Sequence, residues 1–387
     1  MFTVLSRSNL PRLKRQAHMA GEDEEPLLAG AGGAARALAS LQVEAGSPTR
    51  FATATARCGA TNELRVLEVD EESWSVRTVG TCATLRQVSA LAFAPAGEYA
   101  GSLAAIGKPS GASIATLPTF ESMDHLESPP SQPELFIDSE LDVSGRGHEA
   151  YCRQASFSPL SAGDFIALAC EGELSWHRLR EASARKEGTC EASCAGDSRY
   201  RSVACSPHTL SIVSAARGTA AELYDIRSNI NPKVAIGVAH EGACRSIDFA
   251  PTSERLLATC GDDGCVRLWD TRKADECVSK LCGHTHFAWQ ARFNRFHEQL
   301  LASASSDCSS GLWSLGRSAQ SDSEKERPQS IAEEDEDRLV AWIEDHPDSV
   351  YAVEWSSSDP WTFASLSHDG VLVLSCVPRS LRYRILL

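Results

Sequence analysis

A unit that returns every 44 residues constrains this chain more than any other feature. Its clearest copy runs from His240 to Arg272, HEGACRSIDFAPTSERLLATCGDDGCVRLWDTR. Apolar and polar residues alternate up to Phe249, a turn containing Pro251 follows, and Leu256 to Thr259 resumes the apolar run. Asp262-Asp263-Gly264 makes a tight turn into Val266-Arg267-Leu268-Trp269-Asp270. Period-two alternation broken by turn residues predicts three short strands, and one strand in the connector completes a four-stranded unit. Marked by the residue before the first turn, the copies fall at Phe93, Phe157, Cys205, Phe249, Phe293 and Trp355. The spacings are 64, 48, 44, 44 and 62 residues.

The two long gaps each hold a segment foreign to the pattern. Residues 121–134 are acidic and proline-rich, and residues 316–338 are polar, with eight acidic and two basic residues between Asp322 and Asp337. Like charges and few apolar groups predict a mobile loop there. A degenerate unit, Arg50 to Asp70, fits upstream of the first marker. Without the inserts and the first 34 residues, the length accommodates about seven periods of this size. The expectation is an all-β fold, a seven-bladed WD40 β-propeller over residues 35–387 with insertions near 121–134 and 316–338. Residues 1–34 read as a short disordered tail, with Met19 a candidate true start. An open seam would expose strand edges. Ala37 to Val43 is therefore expected to pair into the last blade as its outer strand, with Tyr383 to Leu387 beside the seam.

Blades of this type are pinned by a buried polar set: a His at the start, a hydroxyl, an Asp in the tight turn and a Trp on the next strand. Two copies carry it in full, His240, Thr259, Asp263 and Trp269, then His284, Ser303, Asp307 and Trp313. In both, the Asp precedes the Trp by six residues. Other copies are eroded. Gly218 and Tyr224 stand for Asp and Trp in one, and His346 and Asp369 lead to Ser375 in another. Burial between neighbouring repeats tolerates such erosion.

Composition removes whole classes of function. With 42% hydrophobic residues and only 23% charged, the chain can bury a core. A net charge of −15 speaks against a nucleic-acid binder, which needs clustered cations facing phosphate. No apolar run approaches the roughly 20 residues of a membrane helix, so no direct membrane insertion is expected. The first 19 residues carry Arg7, Arg12, Lys14 and Arg15 and no acid, but Pro11 and the lack of amphipathic periodicity argue against a transit peptide. Without a secretory signal, the 14 cysteines read as free thiols packed as small apolar groups in a reducing cytosol. Cys282, His284 and His286 lie close in sequence, yet His284 belongs to the Asp307 set and a fourth metal ligand is missing. Gly30, Gly32 and Gly33 lack the strand and βαβ context of a dinucleotide loop and read as a linker. No catalytic signature occurs. The expectation is a protein that is not an enzyme, with no cofactor and no small-molecule substrate.

The last copy is more specific than a generic WD repeat. Asp348-Ser-Val-Tyr-Ala-Val-Glu-Trp355, Asp359-Pro-Trp361, Val377-Pro-Arg379 and the ending Tyr383-Arg-Ile-Leu-Leu387 closely resemble the C-terminus of the EARP- and GARP-complex-interacting protein family. Ala239 to Arg272, the acidic insert, and the stretch from Met19 through Ala35-Arg-Ala-Leu38 are similar too. The resemblance covers roughly residues 19–80 and 200–387 and is weak over 81–199. It implies a non-enzymatic adaptor, cytoplasmic and peripheral to endosomes and the trans-Golgi network. Its partners would be multisubunit vesicle-tethering complexes of the EARP and GARP type, and its task endosomal recycling and retrograde traffic. A rival reading starts from Trp269-Asp-Thr-Arg272 and Tyr224-Asp-Ile-Arg227, which fit the WDxR pattern of cullin-RING ubiquitin ligase substrate receptors. On that reading Arg227 and Arg272 form a partner surface. Otherwise they are solvated residues at the ends of blades.

Overall fold

The computed structural model folds the repeat into seven four-stranded antiparallel sheets arranged as a closed ring. It describes residues 27–30 and, from 34 to 387, all but 42–47, 58–61, 71–73, 85–86, 96–102, 118–135, 142, 144–149, 162–163, 181–182, 192–197, 228–231, 233 and 317–336. The expected tail up to residue 26, the expected insertion at 121–134 and residues 317–336 of the one expected at 316–338 therefore lie outside the described residues, whereas Arg338 already opens a strand.

The chain opens with a lone strand, β1 (Leu27–Gly30). Blade 1 follows with β2 (Ala35–Leu41), β3 (Thr49–Thr55), β4 (Asn62–Asp70) and β5 (Ser75–Thr84). Blade 2 has β6 (Ala90–Phe93), β7 (Leu103–Lys108), β8 (Gly111–Thr116) and β9 (Phe136–Leu141). Blade 3 has β10 (Cys152–Phe157), β11 (Phe165–Cys170), β12 (Glu173–Arg180) and β13 (Ser183–Glu191). Blade 4 has β14 (Tyr200–Cys205), β15 (Ile212–Arg217), β16 (Ala220–Asp225) and β17 (Val234–Ile236). Blade 5 has β18 (Cys244–Phe249), β19 (Leu256–Gly261), β20 (Cys265–Asp270) and β21 (Cys277–Cys282). Blade 6 has β22 (Ala288–Phe293), β23 (Leu300–Ser305), β24 (Ser310–Ser314) and β25 (Arg338–Ile343). Blade 7 has β26 (Val350–Trp355), β27 (Thr362–Ser367) and β28 (Val371–Cys376), and the helix α1 (Arg379–Leu386) ends the chain.

Each blade begins at the centre of the ring, and the six marker residues are the last residues of the innermost strands. In five blades the second strand is buried along its whole length: β7, β11, β19, β23 and β27 are buried at all six positions. Both faces of such a strand must be covered, because each sheet packs against a neighbour on either side. The core is accordingly divided into seven apolar clusters, one at each blade interface. Side chains on one innermost strand also bond to the backbone of the next. Ser156 Oγ accepts from Cys205 N–H at 3.1 Å, Ser202 Oγ from Ile247 N–H at 3.1 Å and Asp248 from Phe293 N–H at 2.9 Å.

The ring closes differently from the expectation. Ala37 to Leu41 belongs to β2, the innermost strand of blade 1, paired with β3 in the register Leu38↔Thr53. The outer strand of blade 7 is instead β1, antiparallel to β28 with Leu27↔Leu374 and Gly30↔Val371. The stretch read as tail and linker thus contributes a strand at its end. The physical reason lies in burial: Ala37, Ala39 and Leu41 are buried against blade 2. An outer strand is far less buried, as in β21, where Leu281 alone of the six residues is buried. Across the seam, Thr49 Oγ1 lies 3.1 Å from Ser356 Oγ, and Ala35 N–H donates to the His368 carbonyl at 3.0 Å.

The chain end also departs from the expectation. Tyr383 to Leu386 lies in α1, which buries Leu381 at the interface of blades 6 and 7, away from the seam between blades 7 and 1. Arg384 donates to Ser314 Oγ at 3.2 Å from the same side.

Blade locks and the candidate partner surface

Blades 5 and 6 contain one-way chains of hydrogen bonds built from the predicted residues. In blade 5, His240 Nδ1 lies 2.8 Å from Asp263, and His240 Nε2 lies 2.8 Å from Thr259 Oγ1, which accepts from Trp269 Nε1 at 2.8 Å. A carboxylate only accepts, so Nδ1 carries the proton and Nε2 takes the hydroxyl proton of Thr259. The order is Trp N–H to Thr, Thr O–H to His, His N–H to Asp. In blade 6, His284 Nδ1 is 3.0 Å from Asp307, and Nε2 is 2.7 Å from Ser303 Oγ, which accepts from Trp313 Nε1 at 2.8 Å.

The carboxylates finish each chain by holding the turn. Asp307 also accepts from the N–H groups of Thr285 and Ser309, each at 3.0 Å, and from Ser309 Oγ. Burial pushes both carboxyls up, but bonds from the His and the backbone outweigh it. Asp263, also facing Arg267, is held at about 2, and Asp307 lies further below the usual carboxylate range. Local sequence makes room for the lock. A Cβ on Gly261 would lie 2.6 Å from His240 Cγ, and Gly264 turns the chain at φ +70.

The eroded copies lock differently. In blade 4, the Tyr224 hydroxyl donates to buried Glu222 and lies 3.2 Å from the Tyr200 hydroxyl, while Arg217 donates to Glu222 at 2.8 Å. In blade 7, His346 Nε2 lies 2.7 Å from Ser365 Oγ. Its Nδ1 is buried and has no hydrogen-bond partner among the described residues, and exposed Asp369 bonds to Ser367 and Val371 instead.

Burial lowers the His346 imidazole from 6.5 to about 3. Between those values the unfolded chain binds a proton that the folded chain refuses. Stability is thus complete above pH 6.5 and falls with acid by about 1.4 kcal/mol per unit until His346 titrates. His346→Gln should flatten this acid limb, measured by urea denaturation at pH 7 and 4.5. An equally steep loss in the variant would show that other groups carry it.

Arg227 and Arg272 sit on adjacent blades just past the outward ends of β16 and β20. Each folds back on its own turn: Arg227 reaches Asp225 at 2.9 Å and Arg272 reaches Asp270 at 2.8 Å. Both side chains are exposed, and each carries a carboxylate on its guanidinium.

Cysteine usage departs from the expectation at one pair. Cys265 and Cys282 face each other across β20 and β21 with Cα atoms 4.6 Å apart and are joined as a disulfide. Direct opposition in an antiparallel pair brings two Cys within bonding reach. Ten other described cysteines are free and seven of them are buried, where burial pushes Cys205 up to about 12. Of the residues weighed as a metal cluster, Cys282 is in the disulfide and His284 in the blade lock. No group of three or more His, Cys, Asp or Glu side chains with metal-binding geometry occurs among the described residues.

Sequence reasoning missed the lining of the central channel, a cavity of about 610 Å³. Arg36, Arg153, Arg201 and Arg245 face one end of it together with Trp289 and Tyr351. The available signal was their common place, the second residue of an innermost strand or the one beside it.

The comparisons with known proteins agree with this architecture. Residues 171–313 match the family description EIPR1 beta-propeller, and residues 338–374 match the WD domain, G-beta repeat. Human EARP and GARP complex-interacting protein 1 is 32% identical over 395 aligned residues, spanning 95% of this chain and all of the relative. The EARP-interacting protein homolog of Gekko japonicus is 33% identical over 397, with the same coverage. EARP-interacting protein 1 of Caenorhabditis elegans is 40% identical over 187 residues, 46% of this chain and 51% of the relative. With relatives at 32–33% identity aligned over 95% of this chain and their whole length, the chain belongs to the EARP and GARP complex-interacting protein family.

Proposed function

We propose that this protein is a non-enzymatic adaptor that binds vesicle-tethering complexes of the EARP and GARP type. It would act in the cytoplasm at endosomes and the trans-Golgi network, in recycling and retrograde traffic. The observation that carries this reading is the 32% identity to human EARP and GARP complex-interacting protein 1 over 95% of this chain and the relative's full length. The physical form suits the task. Seven interlocked blades make a stiff disc whose loops present two broad faces, and a stiff surface loses little entropy when a partner docks. The blade locks at His240, Thr259, Asp263 and Trp269 and at His284, Ser303, Asp307 and Trp313 serve that stiffness, holding the turns at the ends of blades 5 and 6.

Affinity purification of the tagged full-length chain from cells, read by mass spectrometry, tests the reading. Subunits of the tethering complexes should dominate the recovered partners. Recovery of a cullin adaptor in their place, lost on Arg227→Ala/Arg272→Ala, would replace the reading with a ligase receptor.

A further inference from the structure

Six of the seven innermost strands carry a β-bulge at the same register position. The pairing skips one residue between Ala35 and Ala37, Cys152 and Gln154, Tyr200 and Ser202, Cys244 and Ser246, Ala288 and Gln290, and Val350 and Ala352. The skipped residues are Arg36, Arg153, Arg201, Arg245, Trp289 and Tyr351, all lining one end of the central cavity. A bulge leaves its extra residue without a cross-strand partner and re-aims its side chain. Here the same device, used six times, turns four guanidiniums and two aromatic rings into one mouth.

The mouth is ordered by stacking. Arg245 lies 4.3 Å from the centre of the Trp289 ring, Trp289 and Tyr351 are 4.7 Å apart, and Arg36 lies 4.6 Å from the Tyr351 ring. A cation, two rings and a second cation thus form a continuous arc over blades 5, 6, 7 and 1. Arg153 stacks on Tyr151 at 4.5 Å. Carboxylates outside the cavity lining steady two of the arginines, with Glu171 2.8 Å from Arg153 and Asp262 2.5 Å from Arg245. The carboxylates that do line the cavity, Asp248 and Glu354, lie three residues further along their strands, about 10 Å from the mouth. Arg292 faces both, at 3.8 and 3.7 Å, and Arg295 reaches Glu354 at 3.2 Å. Blade 2 has no such bulge, and small Ser89 and Ala90 line its sector of the cavity.

We propose that this mouth docks an acidic peptide segment of a protein partner, with Asp and Glu side chains entering among the four arginines. Guanidinium forks match carboxylates in two-point hydrogen bonds, and stacking on rings fixes Arg36, Arg153 and Arg245 beforehand, so little side-chain entropy is lost there on binding. Aromatic faces beside the cations cover the methylene stems of the incoming residues. A long polyanion such as nucleic acid is disfavoured, because beyond this narrow ring it would meet a protein of net charge −15. Alternate strands of a meander run in the same direction, so Arg227 and Arg272, past the ends of β16 and β20, lie on the opposite face.

The test uses the full chain and a fluorescein-labelled peptide of alternating Asp and Glu with one central Phe, followed by fluorescence anisotropy. Saturable binding is expected, weakening at least about tenfold in Arg36→Gln/Arg201→Gln and staying unchanged in Arg227→Gln/Arg272→Gln. Raising salt from low to physiological strength should weaken it further. Absence of saturable binding, or equal loss in both double variants, overturns the proposal. So does binding of inositol hexakisphosphate at the mouth while the peptide fails to bind. Should the mouth variant fold poorly, a benzophenone-bearing peptide on the unaltered chain decides the matter. Crosslinks at the starts of β2, β14 and β18 support the site, and crosslinks confined to the opposite face refute it.

Discussion

Removing residues 1–30 should open the ring, while removing residues 1–18 should leave melting and oligomeric state unchanged. The longer deletion takes away β1 and strips Val371 to Leu374 of their outer partner. Each lost backbone hydrogen bond is worth about 1 kcal/mol, and the bare apolar strand becomes a template for another chain. The expected result is a melting temperature lower by several degrees and aggregate on size-exclusion chromatography, at about 1–2 °C per kcal/mol for a domain of this size. A monomeric deletion protein with an unchanged melting point would mean that blade 7 is complete with three strands.

Asp307→Ala should destabilise the fold by about 1–3 kcal/mol, because it orphans buried donors from His284, Ser309 and the turn backbone. Asp369→Ala, at the same place in blade 7, should cost less than about 0.5 kcal/mol, as expected for an exposed surface position away from the His. The folded carboxyl of Asp307 is depressed, so its stabilisation is present above the unfolded value of 3.8 and is lost as pH falls below it. The gap between the wild type and Asp307→Ala should therefore be widest at neutral pH and close in acid. Chemical denaturation of both variants at pH 7 and pH 3 measures it. Equal melting shifts for Asp307→Ala and Asp369→Ala at pH 7 would show that the hydrogen-bond chain contributes nothing.

The residues differ in how plainly they announced their roles. His284, Ser303, Asp307 and Trp313 were legible because spacing and residue type together specify a turn flanked by two strands. Phe93, Phe157 and Phe249 were legible as strand ends because a large apolar side chain before a proline turn has one natural place in such a unit. Leu27 to Gly30 is not legible as a strand, because Leu-Leu-Ala-Gly beside a glycine run carries no strand alternation. Their pairing comes from an edge on the far end of the chain. The arginines of the mouth were passed over for a related reason. Each sits singly in its own repeat, and only the closure of seven sheets brings them together. Cys265 and Cys282 needed the strand register, which a 17-residue separation does not supply.

The pairing of β1 with β28 also imposes an order in time. Leu27 is made well before its partner Leu374 and must wait for it. At about 5–20 residues per second that interval is roughly 20–70 s. During it blade 7 does not exist, and every other blade can form while the ring stays open. A message truncated before β28 would yield stacked blades with two bare ends. Completion of the ring thus reports that translation has passed β28.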